Sequence, residues 1–139
     1  MRWQKKNILL NESLKDNIKI FNYGVSYKKG KISIDSMDSV SSYIQDNDAY
    51  EVEVISMDDI LNHVEPDILK MDCEGCEFGI IEKCDLSLFN ELIFEYHSEI
   101  VGRDYRILVD KLESQGFKIE FSSVQGKDKK DLGLIHAYK

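Results

Sequence analysis

The chain has 139 residues, a length that suits one domain built around one hydrophobic core. With 42% hydrophobic and 32% charged residues, one proline and eight glycines, its composition excludes a disordered linker, a collagen-like chain and a mucin-like stalk. The formal charge is −8 at pH 7, from 18 basic and 26 acidic residues, so the overall field repels polyanions and argues against nucleic acid as a partner.

The longest apolar runs, such as Ile8-Leu9-Leu10 and Leu92-Ile93-Phe94, are three residues long, whereas a membrane helix needs about 20. Neither a membrane partner nor a secretory signal is expected. Cys73, Cys76 and Cys84 are an odd number in a short stretch, which predicts free thiols and a cytoplasmic protein.

In chain order, the segment from Arg2 to Ser13 predicts a helix, followed by short strands at Ile18 to Phe21 and Ile32 to Ile34. The basic clusters Lys28-Lys29-Gly30-Lys31 and Lys127 to Lys130 read as solvated turns. Residues 35–50 are mostly serine, aspartate and asparagine and predict a polar loop or insert. Glu51 to Ile55 alternates as a half-buried strand. Ser56-x-x-Asp59 then reads as a capping box for a helix whose stripe is Met57, Ile60, Leu61 and Val64.

Pro66 ends that helix, and Asp67 to Asp72 reads as a buried parallel strand. Gly75 permits a sharp exit into a helix from Glu77 to Lys83. A second apolar strand, Leu92 to Tyr96, precedes a helix over Arg103 to Gln115, with Tyr105, Leu108, Val109 and Leu112 on one face and Gly116 as its left-handed cap. Phe117 to Ser123 and Leu132 to Tyr138 predict a terminal antiparallel strand pair. The whole is one α/β open-sheet domain over residues 1–139.

Ligands of such sheets bind beyond the carboxyl ends of the parallel strands. That rule selects Asp72-Cys73-Glu74-Gly75-Cys76-Glu77 and Glu95-Tyr96-His97. If the two strands are neighbours, Asp72, Glu74, Glu77, Glu95 and His97 converge at one edge.

The run Asp67-Ile-Leu-Lys-Met-Asp-Cys-Glu-Gly-Cys-Glu77 resembles the D-hydrophobic-hydrophobic-K-hydrophobic-D-x-E-G-x-E pattern of FkbM-type S-adenosylmethionine-dependent methyltransferases. Val54 to Leu61 is similar to the family's lead-in strand and helix, and Ile93 to His97 to its next strand with the trailing Glu-x-His. Asn7 to Asn11 and Asn22 to Ser26 resemble the segment after the family's second strand.

The resemblance implies a Rossmann-like class I methyltransferase sheet, incomplete at its N-terminus, because the eight glycines contain no G-x-G turn to cradle the cofactor. It implies S-adenosylmethionine-dependent methyl transfer to a hydroxyl oxygen of a small molecule or sugar, in a form that this shortened chain could have lost. Asp72, Glu95 and His97 are then the catalytic candidates and Asp72, Glu74 and Gly75 the cofactor-binding ones. No metal ligand is assigned, a divalent ion on Asp72, Glu95 and His97 being the less favoured possibility.

The reading from a different class is a non-catalytic α/β oligomerisation or binding module, and either form is expected to self-associate through an unpaired sheet edge. A thioredoxin-like dithiol at Cys73-x-x-Cys76 lacks the facing proline such folds use, and a structural zinc site lacks a second cysteine pair. Asp58, Asp59, His63 and His136 read as structural, and Lys70 as a candidate ion-pair partner of Glu74 or Glu95.

Overall fold

A computed structural model describes residues 2–11, 13, 16–34, 50–125 and 132–139. The elements in order are α1 (Arg2–Leu9), β1 (Gly24–Ser26), β2 (Gly30–Ile34), β3 (Tyr50–Ser56), α2 (Met57–Leu61), β4 (Ile68–Met71), α3 (Cys76–Lys83), β5 (Glu91–His97), α4 (Ser98–Val101), α5 (Arg106–Ser114), β6 (Lys118–Gln125) and β7 (Leu132–Tyr138).

The fold is α/β, as the periodicities predict, but among the described residues its strands fall into two sheets in place of one. The smaller has the order β1-β3-β2, with β1 parallel and β2 antiparallel to β3. The larger has the order β4-β5-β7-β6. In it, β4 and β5 run parallel, and β7 runs antiparallel to both β5 and β6. The terminal antiparallel pair is therefore present, and the two strands that carry the candidate site are neighbours.

One face of the larger sheet supports the core. Leu92, Phe94 and Tyr96 alternate along β5, and Ile135 and Ala137 along β7, as strand geometry requires of one face. They pack with Phe78, Ile80 and Ile81 of α3 and Leu108 and Leu112 of α5 in one buried cluster. Tyr96 stacks on Tyr105, with ring centroids 4.9 Å apart. Truncating one of these large residues to alanine costs about 2–5 kcal/mol. Gly116, with φ +88°, supplies the left-handed residue that ends the α5 region.

The smaller sheet docks on α3 through Tyr27. A Cβ on Gly79 would stand 2.6 Å from the Tyr27 ring, so only glycine admits this approach. Lys83 Nζ lies 3.9 Å from the centre of the same ring, a cation–π contact. Lys29 and Asp59 add an ion pair at 2.7 Å between the β1–β2 turn and α2. The capping box predicted at Ser56 is formed: Ser56 Oγ accepts from the Asp59 amide and Asp59 Oδ2 accepts from the Ser56 amide.

Several expectations are corrected. Residues 18–23 form no strand, and Phe21 is exposed, because this short run has no partner strand to alternate against. α1 ends at Leu9, short of Ser13. α2 stops at Leu61, which leaves Val64 exposed and outside its stripe. β4 is an edge strand with Ile68 56% exposed, not a buried one. The polar segment lies outside the described residues except for Tyr50, which opens β3, and Lys127 to Lys130 lie outside them too. Among the described residues, no helix is long and apolar enough to cross a membrane.

Candidate functional site

β4 and β5 end at the same edge because their register pairs Lys70 with Ile93 and Met71 with Phe94. One step further, Asp72 comes beside Glu95, and the period of two places His97 on the same strand face as Glu95. Ligand-type atoms of Asp72, Glu95 and His97 lie within 4.8 Å of one another. Asp72 is exposed, Glu95 half-buried and His97 buried.

The turn after β4 adds two more carboxylates. Glu74 is the one described non-glycine residue at positive φ, 51°, and Gly75 follows at φ 108°. Strain of this kind at a turn costs on the order of 1–3 kcal/mol and persists only where the surroundings hold it. Here it brings Glu74 Oε2 to 3.3 Å from His97 Nε2. A Cβ on Gly75 would press on Ile100 and Val101 at 3.2 Å, so the turn is packed against the end of α4 as well.

Glu77, in the first turn of α3, is wholly buried. Its Oε1 lies 3.2 Å from His97 Nδ1 and accepts a hydrogen bond from the Cys73 amide at 3.3 Å. Its Oε2 is buried with no hydrogen-bond partner among the described residues. With Nδ1–H given to Glu77, a neutral His97 turns its Nε2 lone pair towards Glu74 and the open edge; an imidazolium bridges the two carboxylates. Among the described residues, no lysine or arginine pairs with Asp72, Glu74, Glu77 or Glu95. Lys70 therefore does not make the ion pair the strand alternation suggested.

The same turn holds a Cys73–Cys76 disulfide, its Cα atoms 5.5 Å apart, and this overturns the expectation of three free thiols. Two consecutive left-handed residues curl the chain tightly enough to bring the cysteines within bonding range. Cys84 is free and buried, and burial pushes its thiol up from the ordinary value.

Beside the cluster runs a groove of about 450 Å³ that follows the whole of β4 from Ile68 and ends at Asp72 and Cys73. Its far wall is apolar, with Val25, Met57 and Leu61 among its residues. On the opposite side of β5 from the cluster, burial, with Tyr105 and Asp104 nearby, pushes the Tyr96 phenol up to about 12.

The other histidines stand apart. His63 is exposed. His136 lies between Glu91, at 2.7 Å, and Glu120, near the start of β5, and has the structural setting expected of it. The four site carboxylates and His97 were all expected at one edge, but Glu77 was assigned no role. Its position in the first turn after a glycine exit was the only signal available.

A sheet with a carboxylate and histidine cluster beyond two parallel strands, opening into a groove along the edge strand, is the setting in which α/β proteins bind ligands. The family model described as the methyltransferase FkbM domain matches residues 5–119. The chain belongs to this family, which associates it with methyl transfer. No curated protein and no solved structure matches it.

Proposed function

We propose that this edge transfers a methyl group from S-adenosylmethionine to a hydroxyl oxygen of a small molecule or sugar. The observation that carries the reading is the convergence of Asp72, Glu95 and His97 where the groove along β4 ends. The donors fit such a cofactor. Carboxylates without lysine or arginine partners suit a ligand that carries a sulfonium and an ammonium, and an apolar groove suits its flat adenine. Asp72, Glu74 and Gly75 would hold it, and when bound it supplies the activated methyl group.

The remaining chemistry belongs to the chain. Glu95 and His97 stand where an acceptor hydroxyl would enter, and His97 Nε2 is placed to take the proton as the oxygen becomes nucleophilic. Glu77 fixes the ring so that Nε2 faces the edge. Glu74, reaching His97 from the turn, balances the imidazolium that results. Orientation of acceptor against donor supplies most of the remaining acceleration.

Calorimetric titration with S-adenosylmethionine and S-adenosylhomocysteine tests the reading, with Asp72→Ala as control. Micromolar affinity that weakens in the variant is expected. A folded chain with no affinity for either compound overturns it and leaves a non-catalytic binding or oligomerisation module. The edge position of β4 supports the expected self-association, and a strictly monomeric species in light scattering would count against that part.

A further inference from the structure

We propose that Asp72, Glu95 and His97 bind a divalent cation of the manganese or magnesium class. Their three donor atoms come from two adjacent parallel strands and lie within 4.8 Å of one another, so side-chain adjustments bring them to the roughly 2.0–2.2 Å that a small hard cation needs. Two carboxylates placed side by side repel each other, and a shared cation removes the cost. One imidazole with two carboxylates favours manganese over magnesium, which prefers an all-oxygen shell.

A second observation points the same way and does not depend on the acidic pair. His97 is buried, and its Nδ1 faces Glu77, which is itself wholly buried and aimed into the cluster through the imidazole. Metal-bound histidines commonly give their other ring N–H to a carboxylate in this manner, which fixes the tautomer and leaves Nε2 as donor. Glu77 Oε2 is buried and unpartnered, and no lysine or arginine among the described residues offsets the charge here. A buried carboxylate without such compensation is costly unless a cation completes the site.

Asp72 is exposed and the groove reaches it, so coordination positions remain open on that side. Rested on the methyl-transfer reading, the ion gains a role: it would hold the acceptor oxygen and lower the pKa of its hydroxyl, whose proton then leaves for solvent, since His97 Nε2 is taken up by the ion.

The test is a titration of the full chain with manganese(II) chloride alone, followed by electron paramagnetic resonance and calorimetry, without cofactor or acceptor. One saturable site is expected. Asp72→Asn and Glu95→Gln, which keep side-chain shape, should each weaken it at least about tenfold, and Glu77→Gln about 10–100-fold through loss of orientation. Glu99→Gln, exposed in α4, should leave it unchanged. Absence of saturable binding, or binding indifferent to Asp72→Asn and Glu95→Gln in folded variants, overturns the proposal. A parallel titration with S-adenosylhomocysteine separates the two readings. Manganese without nucleoside binding supports the metal site and removes the methyl-transfer reading; nucleoside without manganese binding does the reverse.

Discussion

Glu77 Oε1 and His97 Nδ1 lie 3.2 Å apart, both groups buried, although the residues are twenty positions apart in the chain. A buried carboxylate with one orphaned oxygen is a poor device for stability and a good one for holding a ring in one orientation. Glu77→Gln keeps an oxygen for the Cys73 amide and for Nδ1–H while removing the buried charge. Its unfolding free energy should stay within about 1 kcal/mol of the wild type, while manganese(II) affinity falls. Urea denaturation beside calorimetry checks both, and a variant that loses stability but binds normally would show Glu77 to be purely structural.

Reduction of Cys73–Cys76 should loosen the turn that presents Glu74. Opening so small a loop returns roughly 2 kcal/mol of chain entropy to the unfolded state. Dithiothreitol should therefore lower the urea midpoint, and a Cys73→Ser, Cys76→Ser double variant should not respond to it. In the native reduced chain, iodoacetamide should modify the turn cysteines and spare Cys84, whose thiol is buried. Rapid labelling of all three thiols by mass spectrometry would contradict this arrangement.

Gly79→Ala places a methyl group 2.6 Å from the Tyr27 ring. The expected cost is about 1–3 kcal/mol, as for other overpacked contacts. In a Tyr27→Ser background the clash disappears, and the same substitution should become neutral or stabilising by up to about 1 kcal/mol, since alanine is the better helix former. Four denaturation curves complete the cycle. Simple additivity would mean that the smaller sheet does not dock here.

Tyr96 is wholly buried, its hydroxyl has no partner among the described residues, and burial is the main cause of its raised pKa. Tyr96→Phe keeps the stacking on Tyr105 and removes the unsatisfied group. Stability should rise by up to about 1 kcal/mol, read as a higher thermal midpoint; a fall would reveal a hydrogen bond made by that hydroxyl in solution.

Arg103 grips Glu82 with two hydrogen bonds of 2.6 Å and holds its carboxyl below the ordinary 4.5. The folded value is the lower one, so the pair's stabilisation is present above the unfolded value and is lost as pH falls through the folded value. Both side chains are partly exposed, which limits the contribution to about 1 kcal/mol or less. Glu82→Gln should be less stable than the wild type at neutral pH, and the gap should close as pH falls through the folded value of Glu82. A pH-independent gap between their urea midpoints would assign the difference to packing.

Asp72, Glu95 and His97 were legible because strand periodicity alone brings the ends of two neighbouring strands to one edge, and the register delivers them abreast. The disulfide and the role of Glu77 were not. Both depend on Glu74 adopting a left-handed conformation that its side chain does not announce. Ile68 to Met71 misled in another way: an apolar run reads as buried, and nothing in it says that one side of the strand will be left open. Ile18 to Phe21 carried a strand's composition with no strand beside it.

Every residue of β4 lines the groove, and among the described residues β4 is the last strand of its sheet. Its outward amide and carbonyl groups are therefore offered to whatever lies there, as an unsatisfied ladder would offer them to another strand. Recognition by main chain survives side-chain replacement. A scan of alanines along the groove will accordingly record only the apolar share of the grip on an occupant, and a single backbone-disrupting change, Leu69→Pro, will cost more than any alanine in that scan.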